Sequence, residues 1–114
     1  MGKNTEVEKE IRFTGGSRED LREFPQEVRV VMGKGLREAQ KGITPGISRP
    51  LPEFGAGVRE LRHGFDKDAY RVVYLVRQFV LFVLHAFKKK STEGKAIPKA
   101  DKETINARLK AVRK

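Results

Sequence analysis

The fold of this chain is decided by residues 58–87, which read VRELRHGFDKDAYRVVYLVRQFVLFVLHAF. Residues 58–63 alternate apolar and polar side chains, residues 69–77 are rich in valine and tyrosine, and residues 79–87 are almost wholly apolar. These patterns are typical of β-strands, and the last is typical of a strand buried on both faces of a sheet. Only short polar turns separate the segments, so the stretch predicts an antiparallel β-meander.

The residues before this stretch predict one further strand and two helices. Residues 11–13 alternate apolar and polar side chains, as in a short edge strand. Ser17 is a candidate N-cap for a first helix, with Asp20 in its first turn. Pro25 suits the first turn of a second helix because its missing N–H costs nothing there. The apolar face of that helix is predicted to contain Val28, Val31, Met32, Leu36 and Ala39.

Glycines mark the second helix and the segment after it. Gly33 and Gly35 lie inside the helix, where each costs about 1 kcal/mol relative to alanine, so we expect them at points of close packing against the sheet. Gly42 is a candidate for the position just beyond the helix end. Residues 42–57 are rich in glycine and proline. They predict a loop that is long enough to be functional or to cover a sheet edge.

The C-terminal residues predict an amphipathic helix that docks on the body or is displaced by a partner. Ile105, Leu109 and Val112 recur at helical spacing, and Asp101 near the start suits the helix dipole. The order of elements predicts an α+β fold: a twisted antiparallel β-sheet with an N-terminal helical hairpin packed on one face and a C-terminal helix. By size, residues 1–114 form a single domain, and residues 1–9 are expected to be disordered.

The chain is strongly basic, with 25 lysines and arginines against 15 aspartates and glutamates and a net charge of +10. Residues 88–114 contain ten of the basic and three of the acidic side chains. A small domain of this charge is expected to bind a polyanion such as nucleic acid, since lysine and arginine displace counterions from phosphates. The alternative is a merely soluble, charged surface.

The absence of cysteine excludes disulfides, thiolate metal sites and cysteine nucleophiles. With only two histidines, a histidine-rich zinc site is not expected either, and we predict no metal and no cofactor. No apolar run reaches the roughly 18 residues of a membrane helix. The N-terminus also lacks the apolar segment of a signal peptide. The sequence therefore predicts a cytoplasmic protein that does not bind a membrane.

Arg71 is the most informative polar residue of the predicted sheet. Alternation places it on one face with Val73 and Leu75, and burying a mid-strand arginine is costly unless it is paired. One interpretation is a solvent-facing side chain paired with Glu60. The functional interpretation is an arginine on a concave sheet face that binds a phosphate through its fork of donors.

Lysines and histidines supply further candidates. Lys88, Lys89 and Lys90 follow the buried strand directly; such a run is usually a solvated loop, but a rigid strand end would hold at least one lysine near the end of the sheet. His85 and His63 are interpreted either as satisfied strand histidines or, beside a phosphate, as general acids or bases.

Several segments, in order and at matching spacing, resemble the RelE/ParE superfamily. They are ISRPLPEFGAGVREL leading into an "ELR" strand, AYRVVYLV at 69–76, FVLHAFKKKS at 82–91, and a terminal helix that starts soon after Pro98. The sequence is most similar to the HigB-like, phage-protein-related branch. The resemblance covers about residues 10 to 113, and it includes the helical hairpin before the meander.

This resemblance implies the toxin of a type II toxin–antitoxin system. Many members are endoribonucleases that cleave mRNA on the ribosome without a metal, by attack of the ribose 2′-hydroxyl on the adjacent phosphate. The implied partners are mRNA on the ribosome and a cognate antitoxin, commonly a helix-turn-helix protein. The implied assembly is a monomer or dimer in the free state and a hetero-oligomer with the antitoxin.

The resemblance also implies site residues. Arg71 matches the phosphate-contacting arginine, Arg62 a basic position of the preceding strand, and Lys88 and Lys89 the basic pair after the last strand. Glu60 stands where RelE has a lysine, and no tyrosine follows the lysine run, so the general base stays open between His85 and Glu60. The predicted catalytic set is Arg71, Arg62, Lys88, Lys89, His85 and Glu60, and the predicted RNA-binding set is Lys90, Lys95 and Arg59.

Two other functions stay open at this point. A ParE-like inhibitor of DNA gyrase shares the fold, and an inactive RNA-binding protein of phage origin would share the charge. Arg71 together with the clustered lysines favours the nuclease, whereas the missing tyrosine keeps the alternatives in place.

Overall fold

The predicted meander lies at the centre of a sheet with strand order β1-β5-β4-β3-β2. The computed structural model describes residues 8–90 and 96–113, and the α+β fold predicted from the sequence is confirmed. The elements are β1 (Glu10–Phe13), α1 (Ser17–Arg22), α2 (Gln26–Gln40), β2 (Ser48–Pro50), a 3₁₀ turn (Pro52–Phe54), β3 (Val58–Phe65), β4 (Asp68–Val76), β5 (Val80–Lys90) and α3 (Lys99–Val112).

Strand β1 departs from the antiparallel pattern because it pairs parallel to β5. Glu10 lies opposite Val80 and Phe13 opposite Val83, whereas β2, β3, β4 and β5 pair antiparallel in sequence order. After β1 the chain continues into two helices, so no hairpin joins β1 to its partner β5 and antiparallel pairing is not required. The sheet is therefore mixed, with its one parallel pair at the β1 edge of the described residues.

The loop predicted over residues 42–57 contains a short strand. Its residues 48–50 form β2, in which Arg49 pairs with Glu60 and Pro50 with Arg59. Proline is tolerated at this position because β2 is an edge strand. The loop thus provides the edge of the sheet itself, and this brings Arg49 next to the middle of β3.

Helix α2 packs on one face of the sheet. Its spacing predicts the buried stripe correctly at Val28, Met32, Leu36 and Ala39, while Val31 is only partly buried. Gly35 confirms the expected close approach, since an added Cβ would lie 3.0 Å from Leu61 Cδ2. The same expectation is wrong for Gly33, which is exposed and has no atom within 4 Å of the added Cβ position. The sheet residues of this core are Leu61, Tyr70, Val72, Tyr74, Leu81, Val83 and Ala86.

Helix α3 packs on the opposite face of the sheet. Ile105 and Leu109, two of the three predicted stripe residues, are buried there, and Val112 packs against the same core. Their neighbours in the sheet include Val73, Leu75 and Leu84. Covered by α2 on one side and α3 on the other, residues 70–75 of β4 are all buried. Any polar residue in this part of β4 must therefore find its partner inside the protein.

One local prediction near the N-terminus is wrong. Ser17 does not cap α1, because Gly16 occupies the N-cap position and the buried Ser17 hydroxyl donates to the Val83 carbonyl at 3.0 Å. Lys9 lies at the end of the segment expected to be disordered. Its backbone N–H donates to the Gln40 carbonyl at 2.8 Å, and its Nζ donates to the Gln78 carbonyl at 2.8 Å. Residues 1–7 lie outside the described part of the chain.

Candidate anion-binding site

Four charged residues of the three neighbouring strands β2, β3 and β4 share the face of the sheet that α3 covers. Arg62 lies directly opposite Arg71, and Glu60 directly opposite Arg49 on its other side. Directly opposed residues of antiparallel strands point to the same face with their Cβ atoms about 5 Å apart. Strand alternation and register therefore gather Arg49, Glu60, Arg62 and Arg71 into one group, called here the arginine cluster.

Glu60 is the centre of the arginine cluster. Arg49 Nε donates to Glu60 Oε2 at 2.7 Å, and Arg71 Nη1 donates to Oε1 at 3.4 Å. Arg62 Nε lies 3.9 Å from Oε2, which is an ion-pair contact without a hydrogen bond. Three guanidinium cations thus surround one carboxylate anion, which leaves the cluster with a net charge of +2.

The cluster has a buried inner pair and a solvent-accessible outer pair. The side chains of Glu60 and Arg71 are 0% and 1% exposed, whereas those of Arg49 and Arg62 are 35% and 36% exposed. Burial lowers the pKa of Arg71, and the charge of Glu60 offsets part of this effect. The ordinary pKa of arginine lies so far above neutral that such a side chain stays protonated at neutral pH.

Arg71 therefore fits neither interpretation from the sequence in full. It is paired with Glu60, as in the first one, but the pair is buried instead of facing solvent. It lies on the same sheet face as Arg62, as the functional interpretation requires, yet its side chain is almost wholly covered in this conformation. The accessible donors of the cluster are on Arg49 and Arg62.

The lysine run does not act as one group, because β5 continues through Lys90 and its side chains alternate between the faces. Lys89 is buried, and its Nζ donates to the carbonyl of Ala96. Lys88 is exposed and has its Nζ 3.7 Å from Asp68 Oδ2, and Lys90 is exposed as well. Lys95 lies outside the described residues.

His85 contacts helix α3 with both ring nitrogens. Its Nε2 lies 2.7 Å from Asp101 Oδ1, and its Nδ1 lies 3.4 Å from Arg108 Nη1. The ring also stacks on Phe87, with 5.2 Å between centroids. These contacts favour the interpretation of a satisfied strand histidine. His63 pairs with Tyr70 and therefore lies on the α2 face, away from the arginine cluster.

Arg59 lies on the α2 face as well, because it alternates with Glu60 along β3. Its Nη2 donates to the Ser48 hydroxyl at 2.9 Å, and it lines a cavity of about 450 Å³ together with Tyr74 and Pro45. Burial raises the pKa of Tyr74, although its proximity to Ser48 and Arg59 counteracts part of the shift. Arg59 is thus separated by the sheet from Arg62 and Arg71.

Of the predicted catalytic residues, the structure brings together Glu60, Arg62 and Arg71, and it adds Arg49, which sequence reasoning missed. Arg49 lies in a three-residue strand inside a glycine- and proline-rich segment, where no periodic pattern marks it. Arg49 could have been found only by pairing its short edge strand with β3, which places this arginine, next to a proline, opposite a buried glutamate in mid-strand.

Two further features follow from the described residues. Across residues 8–90 and 96–113, no three histidine, aspartate or glutamate side chains lie close enough together to hold a metal ion. Within the same part of the chain, every helix is too short or too polar to cross a lipid bilayer.

The fold is that of the RelE toxins. The structure is similar to a double mutant of Escherichia coli toxin RelE in the free state, with a TM-score of 0.60 and 18% identity over 93% of this chain and 99% of that one. It is also similar to a chain of the RelBE2 toxin–antitoxin complex from Mycobacterium tuberculosis, with a TM-score of 0.53 and 20% identity over 76% of this chain and 98% of that one.

The family follows from the sequence. Residues 19–110 match the model of the family described as phage-derived protein Gp49-like (DUF891), and the chain belongs to that family. No curated protein matches the chain in a direct sequence comparison. The prediction of a RelE-like fold and of a phage-protein-related family is confirmed.

Proposed function

We propose that this protein is the toxin of a type II toxin–antitoxin system and a ribosome-dependent, metal-independent mRNA endoribonuclease. The observation that carries the proposal is the arginine cluster, with its net charge of +2 on one sheet face and two accessible guanidinium groups. A ribose 2′-hydroxyl loses its proton and its oxygen bonds to the phosphorus of the neighbouring phosphodiester, while the P–O5′ bond breaks and the leaving oxygen takes up a proton. The products are a 2′,3′-cyclic phosphate and a 5′-hydroxyl, and the phosphate has one additional negative charge in the transition state. Fixed guanidinium donors stabilise that added charge more than they stabilise the ground state.

The contacts of Glu60 and His85 argue against both as the proton-transfer group. Both oxygens of Glu60 contact guanidinium groups and its side chain is fully buried, so it has no access to a ribose hydroxyl. His85 is bound to Asp101 and lies near Arg108. Positioning of the 2′-hydroxyl in line with the phosphate, supplied by the ribosome, would provide much of the acceleration.

The remaining parts of the proposal concern partners and location. A cognate antitoxin, expected to be a helix-turn-helix protein, would hold the toxin inactive in a hetero-oligomer in the cytoplasm. The RelBE2 neighbour is itself a toxin–antitoxin complex, which supports such a partner here. Lys88 and Lys90 would add sequence-independent contacts to RNA backbone near the end of β5, and Lys95 is proposed to bind RNA as well.

The test is induced expression in a bacterial host, followed by mapping of mRNA 5′ ends and by assay in a purified translation system. We expect growth arrest and mRNA cut within codons only when ribosomes are present. Arg62→Ala should lower the cleavage rate by about 10²–10³-fold, and Arg77→Ala, which removes an exposed arginine in the β4–β5 turn, should not. Intact mRNA together with an SOS response would instead support gyrase inhibition, and no effect on growth would support the inactive RNA-binding alternative.

A further inference from the structure

A cavity of about 450 Å³ lies on the α2 face of the sheet, on the opposite side from the arginine cluster. Its volume falls within the range of small-molecule binding sites. Ile43 lines the cavity and is 53% exposed, so the cavity opens to solvent on that side. Its apolar walls come from the end of α2, the segment that follows it and the paired strands, and they include Ala39, Ile43, Pro45, Pro50, Pro52, Ala56, Val58 and Val76. The cavity can therefore hold the apolar body of a small ligand.

The walls of this cavity are held in place without a ligand. The Ser48 hydroxyl donates to the Pro45 carbonyl at 2.6 Å, and the N–H of Val76 donates to the Gly57 carbonyl at 2.8 Å. Gly57 has a φ of 85°, and an added Cβ would lie 2.9 Å from the Val76 carbonyl oxygen, so a side chain here would push the wall segment away from β4. A cavity that is formed in advance lowers the conformational cost of binding.

Two polar atoms at the cavity have unused hydrogen-bonding capacity. Arg59 lies directly opposite Tyr74, so their side chains are neighbours on the cavity side of the sheet. In the part of the chain that the structure describes, the buried atoms Tyr74 Oη and Arg59 Nε have no hydrogen-bond partner. Ser48 and Arg59 are close enough to counteract part of the pKa shift of Tyr74, but neither is in hydrogen-bond geometry with its hydroxyl. Buried polar atoms without a partner are rare and destabilising, which indicates that a ligand supplies the missing acceptor.

The charge of the cavity indicates the kind of acceptor. The charged residues that line it are Arg59 and Lys9, and both are cations. Lys9 Nζ donates to the Gln78 carbonyl, which does not neutralise it. Among residues 8–90 and 96–113, no carboxylate forms an ion pair with Arg59. An acceptor that also carries a negative charge therefore fits best, since hydrogen bonds between charged groups are the stronger ones.

We propose that this cavity binds a small organic acid, whose carboxylate accepts hydrogen bonds from Tyr74 Oη and Arg59 Nε and whose apolar body contacts the proline-rich wall. An inorganic anion would leave the apolar walls unused, and a neutral apolar molecule would leave both donors unpaired. The site lies on the other face of the sheet from the arginine cluster, and it does not depend on the proposed nuclease activity.

Binding is tested with hydrocinnamate, a carboxylate attached to a short chain and a phenyl ring. Titration of the isotope-labelled full chain, followed by amide chemical shifts, should give a dissociation constant below about 1 mM, with shifts concentrated at Ala39, Ile43 and Gly57. Hydrocinnamyl alcohol has the same apolar body without the carboxylate and should bind at least about tenfold more weakly. Inorganic phosphate should not compete.

Three results of this titration would overturn the proposal. They are the absence of binding, equal affinity for the acid and the alcohol, and displacement of hydrocinnamate by phosphate. Equal affinity would mean that the cavity recognises only the apolar body. Displacement by phosphate would mean that the basic groups bind any anion.

Two variants test the donors. Tyr74→Phe removes a hydroxyl that has no partner in the structure, so it should weaken hydrocinnamate binding about tenfold without lowering the urea midpoint at neutral pH. Arg59→Met keeps an unbranched side chain but removes the charge, and it should weaken binding by at least as much. The matched control is Arg29→Met, which removes an exposed arginine of α2 outside the cavity and should leave the affinity unchanged. Wild-type affinity in both donor variants would overturn the assignment.

A further variant tests the location without changing a polar group. Ala56 is exposed and lines the cavity, so Ala56→Trp should fold normally and block the space with its side chain. We expect hydrocinnamate binding to be lost in this variant. Retained binding, or amide shifts near the arginine cluster instead of the cavity, would place the ligand elsewhere and overturn the proposal.

Discussion

Replacing Glu60 by glutamine should be among the most destabilising single changes in this protein. The substitution keeps the size of the side chain but removes the carboxylate that three arginines share. Arg49 and Arg62 are each about a third exposed and can move their charge into water. Arg71 cannot, because its side chain is 1% exposed within a fully buried stretch of β4.

The magnitude follows from the loss of one partner of this buried ion pair. Removing one partner of a buried ion pair costs about 3–5 kcal/mol, and the total free energy of unfolding of a small domain is about 5–15 kcal/mol. Urea unfolding followed by circular dichroism at 222 nm measures the loss. With a slope of about 1–3 kcal/mol per molar urea, the midpoint should fall by at least about 1 M.

Two comparisons make this result interpretable. Glu60→Leu combined with Arg71→Met should recover most of the lost stability, since apolar side chains replace both members of the buried pair. Glu10→Gln removes the carboxylate of an exposed pair, in which Arg12 lowers the pKa of Glu10 through a hydrogen bond; screening by water should leave the midpoint unchanged. A loss below about 1 kcal/mol for Glu60→Gln, or a double variant no more stable than the single one, would refute the reasoning.

Three further predictions concern packing, titration and the attachment of α3. Gly35→Ala should lower the free energy of unfolding, because its Cβ would lie 3.0 Å from a leucine of β3. Gly33→Ala, whose Cβ would meet nothing within 4 Å, should raise the free energy of unfolding by about 0.5–1 kcal/mol. The urea midpoints of the two variants should therefore move in opposite directions. Burial raises the pKa of Tyr74, so the stability that the neutral side chain contributes is fully present below the unfolded-state pKa of about 10 and is lost as the pH rises through the raised native pKa. Above pH 10 the urea midpoint of the wild type should therefore fall more steeply than that of Tyr74→Phe. Parallel curves for the two proteins would contradict this prediction. Asp101→Asn weakens the 2.7 Å contact with the histidine of β5 and should cost about 1 kcal/mol and speed amide hydrogen exchange in α3, while Glu103→Gln, an exposed charge on the same helix, should do neither.

The interior strands and the long helix were predictable because their patterns are local. Residues 79–87 are almost continuously apolar, and β5 is indeed an interior strand of the sheet with cores on both sides. The helical spacing from Val28 to Ala39 likewise identified the face that α2 buries. The features that escaped prediction are set by pairing over distance: β1 parallel to β5, β2 inside a predicted loop, and α3 on the face opposite α2.

The candidate site shows the same division between local and distant information. Alternation along β3 and β4, together with the antiparallel register of the two strands, places Glu60 and Arg71 on the same face of the sheet. Their pairing could therefore be predicted from the sequence. Burial of that pair could not be predicted, because it depends on tertiary packing over this face of the sheet. The lysine run looked like one basic group, yet strand alternation through Lys90 sends Lys88 and Lys89 to opposite faces.

A resemblance to a family predicts where a residue lies in the fold more reliably than it predicts whether the side chain is exposed. Arg71 lies where the resemblance places a phosphate-contacting arginine, but here a glutamate stands two positions before Arg62, and Arg71 is buried beside it. The buried carboxylate of Glu60 pairs with Arg71 in the interior and with the partly exposed Arg49 of the edge strand. Because Arg71→Ala would leave Glu60 without its inner partner, loss of activity in that variant could reflect loss of folding. Variants of the accessible residues, Arg49 and Arg62, separate function from stability where Arg71 cannot.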